Sequence, residues 1–284
     1  MKKEVFFDVP RTYYTTSYTR TQVPMFFFKV AARFINYFVD YERAREVLKE
    51  TGVVPVRFFN GKTLVSLVFF DYQAVTIGPY QEVVISIIGH PHSVKQPPLP
   101  LATVLLQKRE RGWKDIGGYV LEMPVTSPAA RAAGREIWGY PKYVTKIPFR
   151  LSDKSFEFGV LDPDSNASIV DVKGEMGPGF TAPAFDLVSY TNYEDAIWRT
   201  GTEVDGRITN STCKWIQVKV GPSTHRMAES LRLLGLESAK PFAIMATDSA
   251  QTRLNAGKPV APWKGFTMPY QYQDEIEFMK KMKI

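Results

Sequence analysis

The chain has 284 residues, 44% hydrophobic and 13% aromatic, a balance that can fill a sizeable core and argues against disorder. Its formal net charge is +7, but the cations are scattered. The densest tracts, Lys108-Arg109-Glu110-Arg111 and Lys280-Lys281, are too short for the clustered footprint that nucleic acid requires. A single cysteine, Cys213, excludes an intrachain disulfide and fits a reducing compartment.

Along the chain, "MKKEVFFDVPRTYY" carries early charge but no apolar run or small-residue cleavage site, so no secretory leader is expected there. The stretch "MFFFKVAARFINYFVDY" is interrupted by Lys29, Arg33, Asn36 and Asp40. A membrane span needs about 20 largely apolar residues, so a soluble, cytoplasmic protein without membrane contact is expected. Asp40 can cap a helix over "YERAREVLKETG", closed by Gly52.

Short, β-branched apolar runs follow at 53–59, 63–70, 82–89, 117–125, 168–174 and 211–221. Asn60-Gly61, between the first two, is a hairpin signal. "GHPHSVKQPPLPL" (89–101) reads as a surface loop, with Pro91 breaking the strand between His90 and His92. These histidines have no partner at ligand spacing, so a metal is not expected. "GEMGPGF" (174–180) fits neither the dinucleotide nor the P-loop pattern and reads as a turn.

In the last run, Trp215, Gln217 and Lys219 alternate with Ile216, Val218 and Val220, as in a half-buried strand. "STHRMAESLRLLGL" (223–236) sets Met227, Leu231 and Leu234 at helical spacing. The pattern predicts an α+β, mainly β fold: one domain over 1–284, a sandwich or barrel with a few helices. Three histidines and no G-x-S-x-G elbow give a Ser-His-Asp hydrolase little support.

The stretch richest in chemistry is "GREIWGYPKYVTKI" (134–147). Lys142 lies between Trp138, Tyr140 and Pro141 on one side and Tyr143, Val144 and Ile147 on the other. Two readings are open. The stem can lie on the aromatics while the ammonium reaches water. Or the amine is held in a dry pocket for chemistry.

"GREIWGYPK" resembles the signature of the acetoacetate decarboxylase family, in which Gly-Arg-Glu is followed by Tyr-Pro-Lys. The family's Schiff-base lysine stands seven residues after the arginine, the spacing of Arg135 and Lys142. "PYQE", with Tyr80 and Glu82, is similar to a Tyr-x-Glu element ahead of the signature. "VGPSTHRMAESLRLLGL" is similar to the family's closing segment. The similarity runs from about residue 25 to 262.

The resemblance implies a closed, cone-shaped β barrel with a few flanking helices. It implies an imine-forming lyase that decarboxylates acetoacetate or a related β-keto acid, working as a homo-oligomer without cofactor or metal. Lys142 would be the nucleophile and Glu82 the proton-transfer group. Arg135, Glu136 and Tyr140 would bind or orient the small keto-acid substrate. Two features depart from the pattern. Tyr143 stands where the best-known members carry a second lysine, and the 89–116 connection is longer. Divergent members use the same lysine for aldol-dehydration or cyclisation. Those reactions, and a non-catalytic small-ligand-binding barrel, therefore stand beside decarboxylation.

Overall fold

A computed structural model describes residues 6–58, 61–96 and 115–268. Its elements begin with a short ribbon, β1 (Thr12–Thr15) and β2 (Arg20–Val23). Then come β3 (Met25–Asp40), α1 (Tyr41–Leu48), β4 (Val53–Pro55), β5 (Lys62–Val75), β6 (Tyr80–Pro91) and β7 (Gly117–Val125). These lead to α2 (Pro128–Trp138), β8 (Lys142–Val144), β9 (Phe149–Leu151), β10 (Ser155–Leu161) and β11 (Ser168–Pro183). The last are β12 (Leu187–Tyr193), β13 (Ala196–Asp205), β14 (Arg207–Val220), α3 (Arg226–Leu233), β15 (Ala243–Leu254) and β16 (Lys258–Pro262).

Seven strands close a barrel in the order β3, β5, β6, β7, β12, β13, β15 and back to β3. One edge of β15 runs along β3. Its other edge is shared: Ile244–Ala246 pair with β14, and Gln251–Leu254 with β13. From β14 an outer sheet continues through β11, β10 and β9. No helix among the described residues is long and apolar enough to cross a membrane.

The apolar runs are explained by burial on both faces. In β5 and β6, alternate residues point into the barrel: Ser66, Val68 and Phe70, and Glu82, Val84 and Ser86. Their neighbours Leu67, Phe69, Val83 and Ile85 point outward into a second core beneath the outer sheet. There Phe69 lies 5.2 Å from Phe158 of β10, centroid to centroid. A strand covered on both sides reads as a continuous hydrophobic run. The charges in β3 are accommodated individually. Lys29 is exposed, while the buried Arg33 pairs with Asp248 at 2.8 Å and donates to the carbonyls of Ala32, Thr247 and Ser152.

Several local expectations are corrected. The runs at 53–59 and 63–70 do not form a hairpin ladder, because β4 pairs with β6 and β5 pairs with β3 and β6. Among the described residues, Phe58 N–H to the Lys62 carbonyl is the one backbone bond between them, and Asn60 of the expected turn lies outside the described residues. Pro91 does not break a strand at His90; it ends β6, opposite Val53. His90 is buried, with Nδ1 3.0 Å from its neighbour's carbonyl. "GEMGPGF" is no turn but the irregular middle of β11, with register shifts around Glu175 and Met176. The rest of the 89–101 loop, from 97 on, lies outside the described residues.

Both expected helices form, but α1 ends at Leu48 with Lys49 as its C-terminal cap, short of the expected stop at Gly52. Asp40 caps α1 by accepting from Arg43 N–H at 3.0 Å. At α3, Met227, Leu231 and Leu234 are buried, and His225 is the cap. Its Nδ1 accepts from Met227 N–H at 3.1 Å. Burial lowers the pKa of His225 below the usual 6.5, with nearby Asp162 opposing. Between the lowered value and 6.5 the unfolded chain binds more protons, so stability falls as pH drops through that window. Protonating Nδ1 would also remove the capping acceptor, worth about 1 kcal/mol. His225→Asn keeps an acceptor without the titration. Its urea midpoint is expected to depend less on pH than the wild type's below about pH 6.5; equal slopes would exclude His225 as the source.

Candidate active site

The route from helix to strand in "SPAARAAGREIWGYPK" sets Lys142. Ser127 caps α2 and Pro128 occupies its first turn. Gly139, at φ 64°, ends the helix in the left-handed conformation that glycine adopts without strain. Tyr140 N–H then bonds back to the Gly134 carbonyl, and Lys142 N–H to the Tyr140 carbonyl. The chain thereby turns around Pro141 and enters β8, with Lys142 opposite Met123 of β7.

Along β8, side chains alternate. Lys142 points into the barrel and lines a cavity of about 360 Å³. Tyr143 points the other way, into the outer core, where its hydroxyl meets Met227 Sδ at 3.2 Å and its ring lies 4.7 Å from His225. Burial raises the Tyr143 phenol well above its usual range. The residue that follows Lys142 is therefore screened from the cavity by the strand itself.

Gly134 makes room for the lysine stem. A Cβ there would lie 2.4 Å from Lys142 Cδ and 2.6 Å from Cε. The lysine is 6% exposed, and its Nζ donates to Glu82 Oε2 at 2.6 Å; Glu82 is 3% exposed. The other carboxylate oxygen accepts from Tyr72 OH at 3.2 Å. Lys142 Nζ lies 5.4 Å from the centre of the Tyr80 ring and 5.8 Å from that of Tyr140. Burial first, then the Glu82 charge, raises Tyr72 and Tyr80 well above the usual phenol value. Burial pushes Tyr140 up to about 12, although its hydrogen bond with Ser189 (2.7 Å) opposes this. These phenols stay protonated; Tyr72 already donates its O–H to Glu82, so Tyr80 and Tyr140 are the ones able to donate to a bound oxygen.

The wall beyond this cluster is largely apolar, with Phe27, Val30, Phe34, Val68, Phe70 and Val84 among its residues. Among the described residues that line it, Lys142 is the only cation, and Glu82 and Asp186 are the only carboxylates. No group of His, Cys, Asp and Glu among the described residues is arranged to hold a metal ion.

The candidates named from sequence do not all converge. Lys142, Glu82 and Tyr140 share the cavity. Arg135 and Glu136 do not line it. Arg135 sits in the last turn of α2 and faces a separate recess with Asn192 and Trp263. Glu136 is on the surface, where its carboxylate accepts from Ser17 N–H at 2.8 Å and Ser17 Oγ at 2.5 Å. Helix geometry explains the split, because Arg135 and Gly134 project from different sides of the same turn.

Sequence reasoning did not reach Tyr72 or the spacing role of Gly134. Tyr72 faces Tyr80 across β5 and β6, a register that could have been sought from the period-2 pattern of both runs.

Comparison with curated protein sequences gave no match. Among solved structures, an acetoacetate decarboxylase from Legionella pneumophila superposes with a TM-score of 0.59 at 16% identity, covering 92% of this chain and 95% of that one. The enduracididine biosynthesis enzyme MppR, complexed with a condensation product of pyruvate and imidazole 4-carboxaldehyde, gives 0.55 at 11% identity, covering 84% and 90%. An acetoacetate decarboxylase-like enzyme from Sphingomonas wittichii RW1 gives 0.53 at 10% identity, covering 82% and 91%. At such identities the likeness concerns the fold. The family assignment rests on the sequence itself: residues 10–225 match the profile described as acetoacetate decarboxylase (ADC). A match over most of the chain, together with the shared barrel, means that this protein belongs to the acetoacetate decarboxylase family.

Proposed function

We propose that the protein is an imine-forming lyase that decarboxylates a β-keto acid through Lys142. The observation that carries this reading is the buried Lys142–Glu82 contact of 2.6 Å at the end of an apolar cavity. An amine must be neutral to attack a ketone. Glu82 is within reach to take the Nζ proton, which leaves a free amine beside a carboxylic acid.

The amine adds to the C3 carbonyl. Glu82 returns its proton to the carbinolamine oxygen, water leaves, and an iminium remains. The electrons of the C1–C2 bond then move toward nitrogen, CO2 departs, and an enamine forms. A proton delivered from solvent through Glu82 to C2 regenerates an iminium. Water hydrolyses it to the methyl ketone and free Lys142. One proton is consumed overall.

The cation-poor wall supports loss of CO2 over other outcomes. A carboxylate lying against Val and Phe side chains, near Glu82, is poorly stabilised, whereas the departing CO2 is neutral. A second reading, condensation of the enamine with an aldehyde, is favoured by one observation: about 360 Å³ leaves room for a second small carbonyl compound. The two differ in whether CO2 is released.

Sodium borohydride added with a 3-oxo acid is expected to trap one adduct, which peptide mapping assigns to Lys142. Glu82→Gln should keep the fold and lower turnover by about 10²–10⁴-fold. No adduct at any pH, or label spread over surface lysines, would overturn the Schiff-base assignment.

A further inference from the structure

Resting on that reading, we infer that the substrate is an elongated 3-oxo acid. Its tail crosses an apolar belt inside the barrel and ends in a hydrogen-bonding group. The inward residues of β5 and β6 stack in levels. At one end Phe70 faces Glu82; next, Val68 faces Val84; then Ser66 faces Ser86. On β3, Phe34 stands beside Val68, and Asn36 beside Ser66. The lumen therefore has a reactive end, an apolar belt (Val68, Val84, Phe34) and a level that carries polar groups (Asn36, Ser66, Ser86), where Val120 of β7 stands opposite Ser86.

The polar level is built toward a ligand. Asn36 is 3% exposed and lines the cavity. Ser66 Oγ donates to Asn36 Oδ1 at 2.7 Å. Asn36, Ser66 and Ser86 thus bring an amide and two hydroxyls to one level of the cavity, where a ligand hydroxyl or oxygen can hydrogen-bond. Phe242, 45% exposed, also lines the cavity near this level, its N–H bonded to the Asn36 carbonyl.

The dimensions select the ligand. Four strand residues separate Glu82 from Ser86, about 13 Å at about 3.3 Å per residue. A saturated chain advances about 1.3 Å per bond, given carbon–carbon lengths near 1.5 Å. The interval thus takes a tail of roughly eight to ten carbons. A four-carbon keto acid would leave most of a 360 Å³ cavity unfilled. Cavities of about 300–1,000 Å³ ordinarily hold much larger ligands.

The test is a series of 3-oxo acids from four to fourteen carbons, methyl-ended or ω-hydroxylated, with CO2 release read as kcat/KM and imine formation read by borohydride trapping. Up to about eleven to thirteen carbons, kcat/KM is expected to rise about fourfold per methylene, then level or fall. At the best length, an ω-hydroxyl is expected to add about fivefold over the methyl-ended acid. Val84→Trp, which fills the belt, should abolish the gain from chain length, and Asn36→Leu the preference for the hydroxyl. A flat profile, or one highest for 3-oxobutanoate, while Lys142 is still trapped, would overturn this inference and leave the imine mechanism standing. No adduct and no CO2 at any length would sink both.

Discussion

Lys142→Met is expected to lower turnover by at least about 10⁴-fold, because no other described residue of the cavity offers an amine. The substitution should also cost stability, which separates it from a simple active-site knockout. Lys142 and Glu82 are both buried and bonded at 2.6 Å. Removing one partner of a buried pair typically costs about 3–5 kcal/mol, since the other charge is left without compensation. Tyr72 still donates to Glu82, so the lower end of that range is expected. Lys142→Met combined with Glu82→Gln should recover most of the lost stability while remaining inactive. Urea unfolding of the four proteins measures this as a double-mutant cycle. A single Lys142→Met variant as stable as the wild type would mean that Glu82 is neutral or solvated without the lysine, against the buried geometry.

The second large effect is expected from one methyl group. Gly134→Ala should reduce turnover by about 10²-fold while the fold remains as stable as before. The added Cβ would stand 2.4 Å from Lys142 Cδ, and the stem must yield. Displacing a reacting group by about 1 Å can cost that much. Glycine in a helix interior is less favourable than alanine by about 1 kcal/mol, which offsets the crowding in the stability measurement. The expected signature is therefore a stable helix with slowed borohydride labelling of Lys142. Full activity would show that the stem repacks without moving Nζ. Gly134 thus has a steric reason to stand beside Arg135 and Glu136.

The strand runs, two helices and the Lys142 signature were legible in the sequence because they depend on local pattern. Period-2 alternation in 211–221 and the 3.6 spacing of Met227, Leu231 and Leu234 are such patterns. What was not legible depends on pairing at long range. Nothing local says that β4 joins β6 across the chain, or that "GEMGPGF" continues a strand instead of turning. α2 was not legible although Ser127, Pro128 and Gly139 mark its ends, because its small residues are buried nearly all round and show no apolar stripe against a polar face.

The dry surroundings of Lys142 show the same division. Trp138, Tyr140, Tyr143 and Val144 are its sequence neighbours, yet only Tyr140 lines the cavity. Trp138 instead donates its indole N–H to the Asn255 carbonyl. Phe27, Tyr72, Tyr80 and Met123, from four other strands, complete the wall. Adjacency in sequence therefore singled out Lys142 but not its environment.

The seam at β15 bears on how the protein is made. β3 is among the first strands to leave the ribosome, yet its partner on one side, Ala243–Leu254, lies more than two hundred residues later. The same late strand closes the barrel against β13. Contacts of such high sequence separation form slowly, because loop-closure entropy is lost before they reward it. At about 5–20 residues per second, β3 waits roughly ten seconds or more with one edge unpaired. That edge is an open template for aggregation until β15 arrives. The lumen around Lys142 consequently cannot form in stages during synthesis. A nascent chain that has already made Lys142, Glu82 and all three tyrosines still has no enclosed cavity, and acquires one in a single late step.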